Sequence, residues 1–534
     1  MPPNLGKLKN LKVVMSSFTV GHGRELGIQR LGELNLYGSL LIKDLQNIEN
    51  SMDALEADLK NKTLLVELTM QWKRNGTSID SKKEEDVIEN LQPSKNLKEL
   101  SIFRYGGKQF PNWLVENSSW NMVSLVLYEC ESCQRLPPLG LLPFLKVLRI
   151  SKLDEIVRID ADFYGNNSSS FKSLEELSFS DMRQWEKWEC QAVTDSFPRL
   201  RHLSIKNCPK LKGQLPEQLV PLEILYIRDC QQLEASTPRA IFLSLEDCGK
   251  LQLDWGTMIR LGMRGHNMEA SLLDIVGSDT LERLEIDLPV ESTSDDCVSL
   301  STFPLDLFPA LKMLHLSANL QTISQCLIHN HLEDLTITEC PKLESLPGNM
   351  HMLLPSLRYL CIEDCLRLES FPDGGLPSNL ECLTIEECPR LESFPDKGLP
   401  SNLEEITLNN YPRLIGSLKG ALGDNPSLKG LDIESMDVES FPEEGLLPLS
   451  LTSLTVSDFP NLQKLDYKAL YQLSSLQTLV LNDCPNLQHL LEEGLPKSVS
   501  HFLINNCPLL KQRCQKEEGE DWEKIAHIQL LTIL

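Results

Sequence analysis

Residues 332–343 read LEDLTITECPKL, and six later stretches repeat that lettering. LRYLCIEDCLRL begins at Leu357, LECLTIEECPRL at Leu380 and LEEITLNNYPRL at Leu403. LKGLDIESMDV follows from Leu428, LTSLTVSDFPNL from Leu451 and LQTLVLNDCPNL from Leu476. The steps between successive starts are 25, 23, 23, 25, 23 and 25 residues. Inside each unit the stretch x-L-x-L-x alternates with period two, which reads as a short strand with its leucines on one side. No unit can bury that apolar side alone. Stacking closes the core.

The period and the pattern L-x-x-L-x-L-x-x-C/N-x-L are those of a leucine-rich repeat. The expected fold is an α/β repeat solenoid. It is a leucine-rich-repeat horseshoe with a parallel β-sheet on the concave face and irregular or short helical segments on the convex face. Relaxing the pattern recovers upstream units: LKELSIFRY at Leu97, LKVLRISKL at Leu145, LEELSFSDM at Leu174, LRHLSIKNCPKL at Leu200 and LEILYIRDCQQL at Leu222. Degenerate units lie near Leu40, Leu65, Met122, Ala240, Met258, Leu281, Leu311 and Val499, with irregular spacing from residue 236 to 331. Roughly twenty parallel strands ~4.8 Å apart would make an inner sheet on the order of 100 Å long. Such a surface suits binding better than it suits an enclosed enzyme pocket.

Charge is unevenly spread over the 534 residues. Residues 1–250 hold 32 Lys and Arg against 33 Asp and Glu, whereas residues 251–500 hold 15 against 38. The net charge of −25 is thus concentrated in the second half. That balance argues against a nucleic-acid partner, whose phosphates need Lys and Arg to displace counterions. The acidic residues either keep a long solenoid soluble or select a basic partner. No run of 18 apolar residues occurs, so no membrane span is expected. The opening MPPNLGKLKNLKVVMSSFTV lacks an uninterrupted apolar segment and does not read as a signal peptide. Five N-x-S/T sequons (Asn61, Asn75, Asn117, Asn166, Asn167) are about what chance gives.

Nine of the sixteen cysteines share one repeat position, three residues after the last strand hydrophobe. They are Cys130, Cys208, Cys230, Cys248, Cys340, Cys365, Cys388, Cys484 and Cys507. Sister units hold Tyr105, Met182, Tyr411, Met436 or Phe459 there, so the slot is used for packing. Reduced thiols in a core fit a cytoplasmic or nuclear location. Cys130 and Cys133 form a CxxC, but no second pair completes a tetrahedral metal site, and no metal is expected.

Around residue 84 the period changes. EEDVIENLQP places Val87, Ile88 and Leu91 at helical spacing with acids at the start, after a polar loop from Arg74 to Lys83. GNNSSS (165–170) reads as a second loop. After Cys507 the chain runs KQRCQKEEGEDWEKIAHI, where Trp522, Ile525 and Ile528 suggest an amphipathic capping helix over Leu503, Leu509 and Leu510. No phosphate-loop, H-E-x-x-H, G-x-S-x-G or kinase motif is present. Tyr105-Gly106-Gly107 reads as a turn, and His329 and His331 as packing or surface residues. No catalytic residue, cofactor or enzyme activity is expected.

Several stretches go beyond a generic repeat. LGKLKNLKVVMSSFTVG from Leu5, GELNLYGSLLIKDLQNI from Gly32, EEDVIENLQPSKNLKELSIFRYGGKQFPNWL from Glu84 and LPPLGLLPFLKVLRI from Leu136 occur in that order. Together with the terminal CPLLKQRCQKEEGEDWEKIAHI they resemble the repeat region of plant coiled-coil, nucleotide-binding, leucine-rich-repeat disease resistance proteins. The resemblance implies a recognition module of plant innate immunity. Its protein partner would be a pathogen effector, or a nucleotide-binding switch that it restrains. The family's nucleotide-binding module and coiled coil are not in this sequence, so the chain reads as a fragment, a truncated product or a separately expressed module. The organisation implied is 1–152 as irregular repeats of disease-resistance type, 153–510 as the regular solenoid and 511–534 as a capping segment. The alternative is a leucine-rich-repeat substrate receptor or scaffold outside defence, but an F-box-like segment is absent. A receptor ectodomain would need a signal peptide and a membrane helix.

The candidate binding residues are the strand positions that alternate with the inward leucines. In the regular stretch they are Asp334, Thr336 and Thr338; Tyr359, Cys361 and Glu363; Cys382, Thr384 and Glu386; Glu405, Thr407 and Asn409; and Gly430, Asp432 and Glu434. They should form columns on one face, giving an acidic, hydroxyl-rich stripe with one aromatic.

Overall fold

The fold was described from a computed structural model covering residues 12–13, 16–23, 26–73, 80–114, 120–165, 170–189, 196–215, 219, 222–265, 277–288, 301–395, 398–411, 413–422, 425–490 and 495–534. The chain divides into two compact units, Met1–Ile275 and Val276–Leu534.

In the first unit a parallel ladder runs through Ser17–Thr19, Gly38–Lys43, Leu65–Gln71, Glu99–Phe103, Ser124–Tyr128 and Val147–Ser151. It continues through Glu176–Ser180, His202–Lys206, Leu222–Cys230, Ala240–Cys248 and Arg260–Arg264. One register shift occurs, between Gly38 and Ser39. The second unit repeats the plan through Arg283–Asp287, Met313–Ser317, Asp334–Thr338, Tyr359–Glu363, Cys382–Glu386 and Glu405–Asn409. Gly430–Glu434, Ser453–Ser457, Thr478–Asn482, His501–Asn505 and Leu530–Ile533 complete it. Parallel neighbours need long return connections. Here these are loops, short helices such as Ile415–Leu422 and Tyr467–Gln472, and two-residue pairings such as Ser440–Phe441 with Lys464–Leu465. This is the leucine-rich-repeat solenoid expected from the lettering.

Strand alternation builds the core. Leu383 pairs in register between Leu360 and Ile406, and Leu383 and Ile385 are both 0% exposed. Burying one such side chain contributes ~1.5–3 kcal/mol. The slot cysteines lie in the same core, each 0% exposed. The Cys388 thiol is within donor reach of Ile362 O in the preceding repeat (3.8 Å) and Glu386 O in its own (3.2 Å). Cys248 repeats this toward Ile227 O (3.3 Å) and Glu246 O (3.2 Å). A small, soft side chain with a weak donor fits a slot walled by strand carbonyls. The CxxC pair follows suit: Cys130 reaches Ile102 O and Cys133 reaches Gly107 O, at 3.7 and 3.2 Å.

Just before the slot, the backbone turns left-handed in repeat after repeat. Asp364, Glu387, Asn410, Ser435, Asp458, Asp483 and Asn506 all have φ between 45° and 60°. This conformation is costly for residues with a Cβ, least so for Asn and Asp. At five of these positions the amide continues the ladder one residue further, to the carbonyl of the following repeat, as Asp364 N does to Glu386 O and Glu387 N to Asn409 O, both at 3.1 Å. The side chains also bond across repeats, as Asn207 does to Asp181 at 2.6 Å and Ser435 to Asp458 at 3.0 Å.

The helix near residue 84 forms, but it begins earlier than expected. It spans Ser81–Asn90, because Asp80 caps it by accepting from Lys83 N, so residues 81–83 are helix rather than loop. Val87, Ile88 and Leu91 are buried. Its acids are used by the next repeat: Glu84 accepts from Gly106 N (2.6 Å), Glu85 from Lys108 N (2.9 Å) and Glu89 from Asn112 N (2.9 Å). The amides of Gly106 and Lys108 are therefore filled by carboxylates of the preceding helix and are not open to a phosphate. A Cβ at Gly107 would lie 2.0 Å from the Tyr105 hydroxyl, which explains the glycine. His329 is a buried packing residue, with Nε2 2.8 Å from Phe308 O and Nδ1 accepting from Leu332 N. Residues 74–79 and 166–169, which hold most of the two loops read from the sequence, lie outside the described residues.

The C-terminal segment departs from a single amphipathic helix. Two short helices, Pro508–Arg513 and Trp522–Ile525, lead into the strand Leu530–Ile533, which pairs with His501–Asn505. Ile525 and Ile528 are buried, but Trp522 is only partly so. Of the three leucines expected beneath it, Leu510 is buried, Leu503 faces outward on its strand and Leu509 is 42% exposed. The β-rich LLTI that follows explains the difference: the chain adds a strand to the ladder. The segment is locked by Asp521, 0% exposed, which accepts from Arg513 Nε (2.9 Å) and Leu490 N (3.2 Å) and pairs with Lys524 (2.7 Å). Burial alone would raise its pKa, but Arg513, Lys524 and the Leu490 amide together bring it below the ordinary value. Asp521→Ala should therefore cost ~1–3 kcal/mol, since it leaves a buried amide unsatisfied. The Asp521 contribution is present above the unfolded carboxyl pKa of about 4 and lost as pH falls through the lower folded value. Urea unfolding at pH 7 and pH 3 checks this: the gap between wild type and Asp521→Ala should narrow at pH 3.

Candidate protein-recognition surface

In the second unit the strands from Asp334 to Glu434 pair without a register shift, so their outward residues form three rows. The first is Asp334, Tyr359, Cys382, Glu405 and Gly430. The second is Thr336, Cys361, Thr384, Thr407 and Asp432. The third is Thr338, Glu363, Glu386, Asn409 and Glu434. Alternation sends the leucines and isoleucines between them into the core, and each of these fifteen residues remains at least partly exposed. Tyr359 and Glu405 are exposed outright. The geometry thus brings together all ten residues singled out as the stripe: Asp334, Thr336, Tyr359, Glu363, Thr384, Glu386, Glu405, Thr407, Asp432 and Glu434.

The carboxylates crowd one another. Burial, and then the charges of Glu363, Glu434, Asp432 and Asp364, hold Glu386 above the usual carboxylate range. Burial raises Asp432, and burial followed by Asp432, Asp458, Asp483 and Glu387 raises Glu434. No Lys or Arg occupies these rows. Among the described residues no three His, Cys, Asp or Glu side chains are placed to hold a metal ion. A raised folded pKa stabilises the fold fully below the unfolded value and ceases to do so as pH rises through the folded one. At neutral pH the cluster is therefore a net cost. The triple change Glu386→Gln, Asp432→Asn and Glu434→Gln should stabilise the protein by ~0.5–2 kcal/mol at pH 7. That gain should shrink as pH falls toward about 4; thermal melts across this range would show it.

The lettering did not reveal the flank of the stripe. Arg358 is held by Glu381 through two hydrogen bonds, at 2.8 and 2.7 Å, and its guanidinium sits 5.6 Å from the centroid of the Tyr359 ring. The guanidinium thus sits against the ring of an exposed tyrosine that belongs to the first row. Only the exposed aromatic following a basic residue hinted at this. At the other end Thr338 meets His315 Nε2 at 3.3 Å, which continues the polar face onto Met313–Ser317.

Residues 28–153 match the family described as R13L1/DRL21 LRRs. An RPP13-like disease resistance protein of Arabidopsis thaliana is 31% identical over 362 residues, covering 62% of this chain and 30% of that protein. A second A. thaliana disease resistance protein is 35% identical over 232 residues, 40% of this chain and 16% of its own length. The disease resistance protein RGA2 of Solanum bulbocastanum is 32% identical over 212 residues, 39% of this chain and 22% of that one. The chain spans less than a third of the length of these relatives. No helix among the described residues is long and apolar enough to cross a membrane. The chain carries a leucine-rich-repeat region of the plant disease resistance type.

Proposed function

We propose that the chain is a non-enzymatic recognition module of plant defence that binds protein through the acidic rows of its second unit. The partner is a basic protein surface, either of a pathogen effector or of the nucleotide-binding module of an immune receptor. The observation that carries this reading is the stripe itself: six carboxylates and an exposed tyrosine on solvent-facing strand positions, kept at a stability cost. Charge held against its own repulsion is expected where a complementary surface later relieves it. Similarity to disease resistance proteins supports the defence role. The buried thiols at the slot positions support a reducing compartment such as the cytosol.

The test is capture of a separately expressed nucleotide-binding module from an RPP13-like relative by the immobilised chain. The unaltered chain should retain it, and the chain with Glu363, Glu386, Glu405 and Asp432 reversed to Lys should not. No capture by the unaltered chain, or equal capture by both, rejects restraint of the switch through this face.

A further inference from the structure

The first unit carries a second outward-facing patch of opposite sign, independent of the acidic stripe. The strands His202–Lys206, Leu222–Cys230, Ala240–Cys248 and Arg260–Arg264 pair in register. One outward row along them is therefore Lys206, Arg228, Glu246 and Arg264. The row at the other edge runs His202, Ile224, Phe242 and Arg260. Between these lie Ser204, Tyr226, Ser244 and Gly262. Four permanent cations thus frame a cluster of Ile224, Tyr226 and Phe242, and Arg228 among them pairs with Asp229 at 3.1 Å and with Glu246 at 3.5 Å. The three apolar residues are partly exposed, and the four cations are exposed. The space where a Cβ of Gly262 would project is open.

We propose that this patch binds an acidic peptide segment that carries an apolar or aromatic anchor. Arginines present planar forks that match carboxylates. The open space over Gly262 leaves room for an anchor side chain, with Ser204 and Ser244 in the same row offering hydroxyls. A polynucleotide fits less well, because single strands bind basic grooves by stacking bases on open aromatic rings. Here the Lys206 ammonium sits over the Tyr226 ring, 4.4 Å from its centroid, and the Tyr226 hydroxyl donates to Glu246 at 3.3 Å.

The experiment uses the full chain and fluorescence anisotropy with three labelled probes. They are a ten-residue glutamate peptide containing two phenylalanines, the same peptide with lysine for glutamate, and a ten-nucleotide oligothymidylate. The glutamate peptide should bind saturably and the lysine peptide should not bind at this patch. Lys206→Glu, Arg228→Glu and Arg260→Glu together should weaken glutamate-peptide binding at least about tenfold. The milder Lys206→Gln, Arg228→Gln and Arg260→Gln, which adds no repulsion that could unsettle the sheet, should weaken it in the same direction. Phe242→Ser should weaken it without changing its salt dependence. Reversing the acidic stripe of the second unit should not weaken it, which separates this patch from the function proposed above. The inference is overturned by absent saturation, by binding that survives both triple variants, or by tighter thymidylate binding that those variants abolish.

Discussion

Replacing Leu383 with alanine should lower the stability of the second unit by ~2–5 kcal/mol, and Ile385→Ala should do the same. Each side chain is fully buried and flanked in register by its counterparts in the neighbouring repeats. Because those neighbours are held by their own ladder bonds, the site cannot collapse around the missing methyl groups, and a cavity remains. Thr384, between the two in sequence, faces the other way and is partly exposed. Thr384→Ala should stay within about 0.5 kcal/mol. Each repeat contacts only its neighbours, so the loss should be greatest in hydrogen exchange of the repeats from residue 357 to 411. Urea unfolding monitored alongside exchange gives both numbers. Equal losses at Leu383 and Thr384 would mean that the strand phase is inverted.

That phase was legible in the sequence because both determinants are local. Period-two alternation assigns faces, and a repeat of 23 to 25 residues aligns one strand on the next, so the outward rows followed from the letters alone. The slot cysteines were legible for the same reason: their exchange with Tyr, Met and Phe identified a packing site before any contact was known. What stayed hidden depends on contacts between repeats. The left-handed residue before each slot looks in sequence like an ordinary polar position. Only its amide bond to the following repeat explains why Glu387 tolerates φ of 48°. The strand Ser17–Thr19 is too short to show alternation, and it is defined by pairing with Leu41–Lys43. At the other end, the three-residue spacing of Trp522, Ile525 and Ile528 suggested one helix. The helix stops at Ile525, and Ile528 is buried in the approach to a strand.

The candidate site was legible in its membership but not in its energetics. Reading which residues face outward needed only the alternation. That Glu386 and Glu434 sit above their ordinary pKa, and that Glu381 holds the Arg358 guanidinium against the Tyr359 ring, needed the neighbouring strands. The basic and aromatic patch between residues 202 and 264 escaped notice because the first half of the chain is nearly neutral. Its charges balance in number but not in position.

If the acidic rows meet a basic partner, as proposed, the kinetics of that encounter will show it. Complementary charge acts mainly on the rate of association and is screened by salt, with a Debye length of about 10 Å at 0.1 M. The measurement is the association rate of the nucleotide-binding module of an RPP13-like relative with the full chain, taken from low to high ionic strength. Reversal of Glu363, Glu386, Glu405 and Asp432 to Lys should slow association at least about tenfold at low salt and flatten its salt dependence. Reversal of Glu344, Asp373, Glu443 and Glu444, exposed acids outside the strands of the same unit, should leave both nearly unchanged. If the two sets slow association alike, the acidic half serves solubility and the outward stripe is not the recognition surface.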